Sequence, residues 1–244
     1  MPDLTATISG RLNNVQVDYS GTDAWDDMMP DTDTTSNIGV SDDHRATAIY
    51  TLFGYLAETI TSAQSNMLIM SFDTSGIILP PNSATIRIYG HTNSTTGESG
   101  HSTDGVLGLK TTMTSTTELT TTDWGAIDQS GAGPILYTDT LTSWNVGTTT
   151  PNTFTLNSTA LTDMANNDTF QIVFTHKGFY DYYDSNPPFA YGNNSPSGDN
   201  EYGQYVCGAY FQSEASYKPV LSYSYRALFI SSNLTLNGGK LIIK

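Results

Sequence analysis

The feature that most constrains this chain is the recurrence, from one end to the other, of short apolar runs broken by clusters of Gly, Pro, Asn, Asp and Ser. Runs of this length, alternating or continuously apolar and punctuated by turn formers, predict antiparallel strands joined by loops. They fall at residues 5–8, 48–53, 67–72, 84–89, 106–109, 153–156, 170–174, 205–211 and 220–225, enough for two packed sheets. In the last run the side chains alternate, which puts Leu221, Tyr223 and Tyr225 on one face and Val220, Ser222 and Ser224 on the other. Pro219 opens that strand, where a missing amide hydrogen does no damage.

Composition points the same way. Only 14% of the residues are charged, and the strand and turn residues Thr, Ser, Asn, Gly and Tyr replace the Lys and Glu that helices favour. Helical periodicity occurs once, around Ser158 to Asn166, with Ser158 or Thr159 as the cap and Leu161 and Met164 three residues apart. The expected fold is therefore all-β: an antiparallel two-sheet sandwich of jelly-roll type, with terminal strand hairpins and one short helix. Residues 23–226 form its main domain. An N-terminal arm, 1–22, reads as a strand, a turn at Asn13-Asn14 and a second strand ending near Tyr19. A C-terminal arm, 227–244, reads as a hairpin in which Leu234 and Leu236 precede a turn at Asn237-Gly238-Gly239 and Leu241 and Ile243 follow it. An isolated hairpin is marginal in water, so these four residues are the candidate assembly contacts, with the first strands or with another subunit. The Thr-rich stretch 111–122 reads as strand and loop.

Charge and cysteine content exclude several functions. With 24 acidic against 9 basic residues the formal charge is -15, which repels nucleic acid and anionic membranes. Cys207 is the only cysteine, so neither an intrachain disulfide nor a cysteine zinc cluster can form, and it is expected to be a small core residue. The opening residues MPDLTATISG lack a basic region followed by an apolar run, and no run approaches the roughly 18 apolar residues that span a bilayer. A secretion signal and a membrane span are thus not expected, and the combination suits a particle assembled inside a cell and later released.

Two stretches resemble the DNRLRE-type jelly-roll domains, β-sandwich modules of bacterial surface and polysaccharide-associated proteins related in shape to carbohydrate-binding modules. MLIMSFDTSGIILPPNSATIRIYG, residues 67–90, resembles their strand ending in Phe-Asp, a Pro-bearing loop and a following Ala-x-Leu-x-Leu-Tyr strand. FQSEASYKPVLSYSY, residues 211–225, is similar to their closing pattern, with Ser213, Glu214, Pro219 and Leu221 in place. Between them, the Trp124 neighbourhood and TFTLNSTALTDM are similar to the Trp-bearing loop and the strand leading into the short helix. The likeness covers residues 23–225, lacks an Arg before Glu214, and has no counterpart for the terminal hairpins. It implies a non-catalytic module and leaves the ligand to the sites grafted on the fold.

Candidate sites follow from residue chemistry. The long polar loops at 23–43 and 180–203 are where binding is expected. Tyr180, Tyr182, Tyr183, Phe189, Tyr191 and Tyr202 crowd the second among Asp, Asn and Gly, a mixture that stacks on sugar faces or fills protein interfaces. In the first, Asp31, Asp33 and Asn37 offer oxygens to a Ca2+ ion, although Ser36 and Asp42 stand where a calcium loop uses Gly and Glu. His44, His91, His101 and His176 lack metal-binding spacing and read as surface or satisfied side chains. Glu214 reads as an acceptor for loop amides. No nucleophile elbow, phosphate loop or paired-acid signature marks an enzyme. The expected role is a virion structural protein, a bacteriophage capsid decoration or a tail or fibre component, self-associating or bound to other virion proteins. The alternative is a glycan-binding adhesion module of a bacterial surface.

Overall fold

The computed structural model describes residues 2–18, 38–41, 47–56, 60–93, 96–97, 105–115, 118–126, 134–177, 180, 203–209, 217–226, 235–237 and 240–242. They form an all-β sandwich of two antiparallel sheets. The smaller has the order β1 (Asp3–Thr5), β13 (Val220–Ser224), β6 (Ser83–Ile88), β10 (Asn152–Thr155). The larger runs β3 (Ile38–Ser41), β2 (Ile8–Asp18), β5 (Ile60–Asp73), β4 (Thr47–Leu56), β12 (Gly203–Ala209), β7 (Gly90–Asn93). Three further strands attach to it: β11 (Thr169–His176) pairs with β5 and β9 (Val106–Lys110), and β8 (Thr96–Gly97) pairs with β12. β14 (Thr235–Asn237) and β15 (Lys240–Ile242) pair with each other.

Alternation builds the core. Leu4, Leu221, Ile86 and Phe154 lie opposite one another across the smaller sheet and turn inward. From the larger sheet Leu68, Met70, Phe72, Phe170, Ile172 and Phe174 meet them, and the Phe154 and Phe174 rings, one from each sheet, have centroids 4.6 Å apart. Burying apolar area at roughly 25 cal/mol per Å2 is what holds the layers together. In β13 the expected faces appear: Leu221 is fully buried, Tyr223 packs against the core, and Tyr225 emerges beyond the strand end.

Where β5, β11 and β9 lie side by side, the larger sheet is buried on its other face as well. Leu12, Met67, Ile69, Val173, Leu107 and Leu109 point away from the smaller sheet, yet none is more than 1% exposed. The continuously apolar sequences of β5, β11 and β9 fit strands covered on both sides. Part of the cover is a 3-10 turn, Thr121–Ala126, which sits against β2 and β3. It lies at the end of the Thr-rich stretch, where no helical pattern was expected.

Four local expectations are corrected. Asn13-Asn14 is not a turn: β2 continues through it, with Asn13 opposite Asn66 and Asn14 opposite Ser65, because an eleven-residue ladder with β5 outweighs a local turn preference. Nor are residues 5–8 one strand, since the chain crosses between the sheets at Ala6 and Thr7, whose amides donate to Pro219 O at 3.2 Å and Ser71 O at 2.8 Å. The helix α1 (Ser158–Asn166) is capped one residue earlier than expected, by Asn157, whose Oδ1 accepts from the Ala160 amide at 3.0 Å. Asn157 also donates from Nδ2 to Leu136 O at 2.7 Å, a second bond that a serine hydroxyl at 158 is not placed to make. α1 then buries Ala160 and Met164. β3 falls inside the segment expected to be a polar loop, its Ile38-Gly39-Val40 pattern too short to stand out.

Candidate binding surfaces

At the end of the sandwich where β11 finishes, the inner face changes from apolar to polar. Phe174 is opposite Leu68, so extending that register by two residues brings His176 beside Asn66, both on the core side of the sheet. Asn66 is fully buried and His176 is 1% exposed. Burial, and then the neighbouring Lys177 charge, lower the His176 pKa to about 3, so its imidazole is neutral near pH 7. Among the described residues neither Nδ2 nor Oδ1 of Asn66 has a hydrogen-bond partner, and the same holds for Nε of Arg11, one row further along, opposite Leu68 in β2. A buried amide without partners is costly, about 1–3 kcal/mol per group, so this polar row has unused bonding capacity. His176 leads within four residues to half-buried Tyr180, the start of the aromatic-rich segment. Of the residues expected to contact a ligand, Tyr180 is among the described residues; Tyr182, Tyr183, Phe189, Tyr191 and Tyr202 lie outside them.

A second surface is the outer face of the smaller sheet. One row across it reads Asp3, Ser222, Thr85, Thr155, and the next Thr5, Val220, Arg87, Thr153. Arg87 reaches Asp3 at 3.3 Å, and Ser222 donates to the other Asp3 oxygen. Tyr89 extends the Thr85–Arg87 alternation beyond β6 and meets Tyr217 edge-on, with centroids 5.6 Å apart. The face is thus a level field of hydroxyls with one ion pair and an aromatic pair at its margin. Sequence reasoning passed over it, although its signal was present in the alternation of Ser83, Thr85 and Arg87 in β6 and of Thr153 and Thr155 in β10.

No family model and no curated protein matches this chain. Its surfaces are therefore interpreted from their own chemistry.

The buried charges are engaged in structural bonds. Asp123 is fully buried and accepts from the amides of Thr114 and Thr120, each at 2.7 Å, and from both of their hydroxyls. It is the hub of the Thr-rich loop, whose hydroxyls at 114, 120 and 122 also bond one another. Asp163 of α1 accepts from Lys110 Nζ at 2.9 Å and from the Tyr137 hydroxyl, fastening the helix to β9 and to the strand-like segment at 136–138. Burial first, then the Asp163 carboxylate, pushes the Tyr137 phenol well above its ordinary range. Tyr137 also stacks on Phe170 with centroids 5.2 Å apart, which fixes its direction.

The remaining candidates are scattered. Asp31, Asp33 and Asn37, the calcium candidates, lie outside the described residues, as do His44, His101 and Glu214. His91 stands exposed on β7. Among the described residues no three His, Cys, Asp or Glu side chains come together as metal ligands, and no helix is long and apolar enough to cross a membrane. Of the assembly candidates, Leu236 and Leu241 are directly opposite each other in the β14–β15 ladder, while Leu234 and Ile243 fall outside the described residues. Cys207 occupies β12 opposite Ile49.

Proposed function

We propose that this chain is a non-catalytic structural protein of a virion, a capsid decoration or a tail or fibre component, that joins partner subunits or a surface through a jelly-roll-type sandwich. The observation that carries the reading is the β14–β15 hairpin, which among the described residues pairs only with itself. Two strands of three residues are marginal alone in water, so they gain stability by packing on something else. The arm has the charge for that role: residues 227–244 contain two lysines and no acid, against the -15 of the whole chain. The structural use of Asp123 and Asp163 supports a scaffold rather than a reactive site, as does a chain without disulfide cross-links.

The test is the mass of the particle in solution. Light scattering on the full chain is expected to give a stable homo-oligomer, and removal of residues 232–244 to give monomers of unchanged circular dichroism. Equal masses for both chains would remove the basis of the reading.

The second reading, a carbohydrate-binding or adhesion module, is favoured by the hydroxyl face with Tyr89 and Tyr217 at its margin. Tyrosine faces stack on sugars while hydroxyls and Arg87 bond their oxygens. It predicts glycan-array or cell-wall binding by the monomer that Tyr89→Ala weakens about tenfold, the loss expected for one stacked aromatic.

A further inference from the structure

The smaller sheet differs from the rest of the chain in its charge. Its strands and the residues that flank them, 2–7, 82–89, 152–157 and 217–226, hold Arg87, Lys218 and Arg226 against a single acid, Asp3. Three bases less one acid leave these segments at +2, in a chain whose formal charge is -15. At physiological ionic strength charges beyond about 8 Å are largely screened, so whatever reaches the outer face of this sheet meets the local excess of base. That face is open to solvent. Asp3, Thr5, Thr153 and Thr155 are exposed, and Thr85, Arg87, Tyr89 and Tyr217 are half-buried.

Arg87 stands in the middle of it, with Val220 opposite on one side and Thr153 on the other. Its Nη2 is shared between the Asp3 carboxylate and the Ser222 hydroxyl, both at 3.3 Å, longer than the roughly 2.7–2.9 Å of a close charge-assisted bond. Its Nη1 has no partner among the described residues, and the side chain is 39% exposed. The Asp3 contact shows that a carboxylate fits here, one oxygen on the guanidinium and the other accepting from a hydroxyl. Tyr89 lies two residues along the chain from Arg87, about 7 Å away on the same side, with its ring edge-on to Tyr217. Lys218 follows Tyr217 directly.

We propose, on the carbohydrate-binding reading of this face, that its ligand is a polysaccharide bearing carboxylate groups, with a sugar ring stacked on Tyr89 and its carboxylate bonded to Arg87. The local charge selects an acidic ligand, and the planar fork of arginine suits a carboxylate. The hydroxyls select a sugar over an acidic protein. Threonine dominates the two rows and Val220 is their only apolar member, whereas a protein interface has an apolar centre.

The test is calorimetric titration of the full chain with polygalacturonate and with hyaluronate, each beside its methyl ester, which keeps the backbone and removes the charge. At least one acid form is expected to bind about tenfold more tightly than its ester, the worth of one charge-assisted bond. Arg87→Ala should abolish that preference, and Asp3→Asn, which releases Nη2, should increase it. Both substitutions fall on an exposed pair, so the circular dichroism spectrum should be unchanged. Equal binding of acid and ester would overturn the proposal and leave the carbohydrate reading standing, while binding of neither would remove both. A preference that survives Arg87→Ala would overturn it too. So would polyglutamate binding as tightly as the acid glycan, which would assign the face to an acidic protein.

Discussion

Asp123 shows what one residue does when its partners are all local. Four donors from Thr114 and Thr120 converge on its carboxylate, so Asp123→Ala would leave two part-buried amides without their acceptor and loosen the loop that packs on β2 and β3. The expected loss is about 3 kcal/mol in urea denaturation, while Asp123→Asn, which keeps one acceptor oxygen, should lose less. The sequence displayed Thr114, Thr120 and Asp123 only as a Thr-rich bias, because nothing in composition tells a solvated aspartate from one enclosed by its own loop. His176 acts at the same scale through protons. Its folded pKa, about 3, lies below the ordinary 6.5, so the unfolded chain takes up the proton first and stability falls as pH drops between those values. The slope from this residue is about 1.4 kcal/mol per pH unit, or about 2 kcal/mol between pH 6.5 and 5, a window above most carboxylate titrations. Urea midpoints in that window should become nearly flat in His176→Gln. The placing of His176 beside Asn66 was hidden in the sequence, since only sheet register brings strands so distant in the chain side by side.

At the level of elements, alternation was the legible signal and local turn chemistry the misleading one. The faces of β13 followed directly from Val220 to Tyr225, and the strands β5, β6, β9, β10, β11 and β12 from their apolar runs. Asn13-Asn14 misled because a turn-forming pair was weighed without the strand waiting opposite it. The cap of α1 was missed by one position for a related reason: Asn157 wins through Leu136, a residue remote in sequence. Asn157→Ala should accordingly cost about 1–2 kcal/mol, at the upper end for an N-cap, whereas Asn157→Asp should restore the Ala160 bond but not the Leu136 one. Thermal denaturation followed at 222 nm separates the two. The Arg87–Asp3 pair, by contrast, has side chains 39% and 52% exposed, and Arg87→Ala should change stability by less than about 1 kcal/mol.

For the molecule as a whole, the two-sheet architecture was evident from the spacing of strands and turns, but the second buried face of the larger sheet was not. An apolar run reads the same whether one or both of its faces are covered. The cohesion of the sandwich rests on aromatic contacts between the layers, with Phe154 tilted against Phe174 at 4.6 Å and against Trp144 at 6.4 Å. Phe154→Ala should therefore lower the unfolding free energy by about 3–5 kcal/mol, measured with guanidinium, and Phe154→Leu by roughly half as much. The candidate surfaces were only partly foreseeable, because the aromatic-rich segment announces itself in composition whereas a field of threonines on a sheet does not.

The pairing of β1 with β13 sets the order in which the smaller sheet can form. Asp3 is hydrogen-bonded to Ser222 across a separation of 219 residues, so β1 finds its place in the smaller sheet only once β13 is in reach. Such distant closure slows folding, and a chain truncated before Val220 leaves the β13 edge of β6 unpaired and β1 without a strand to join.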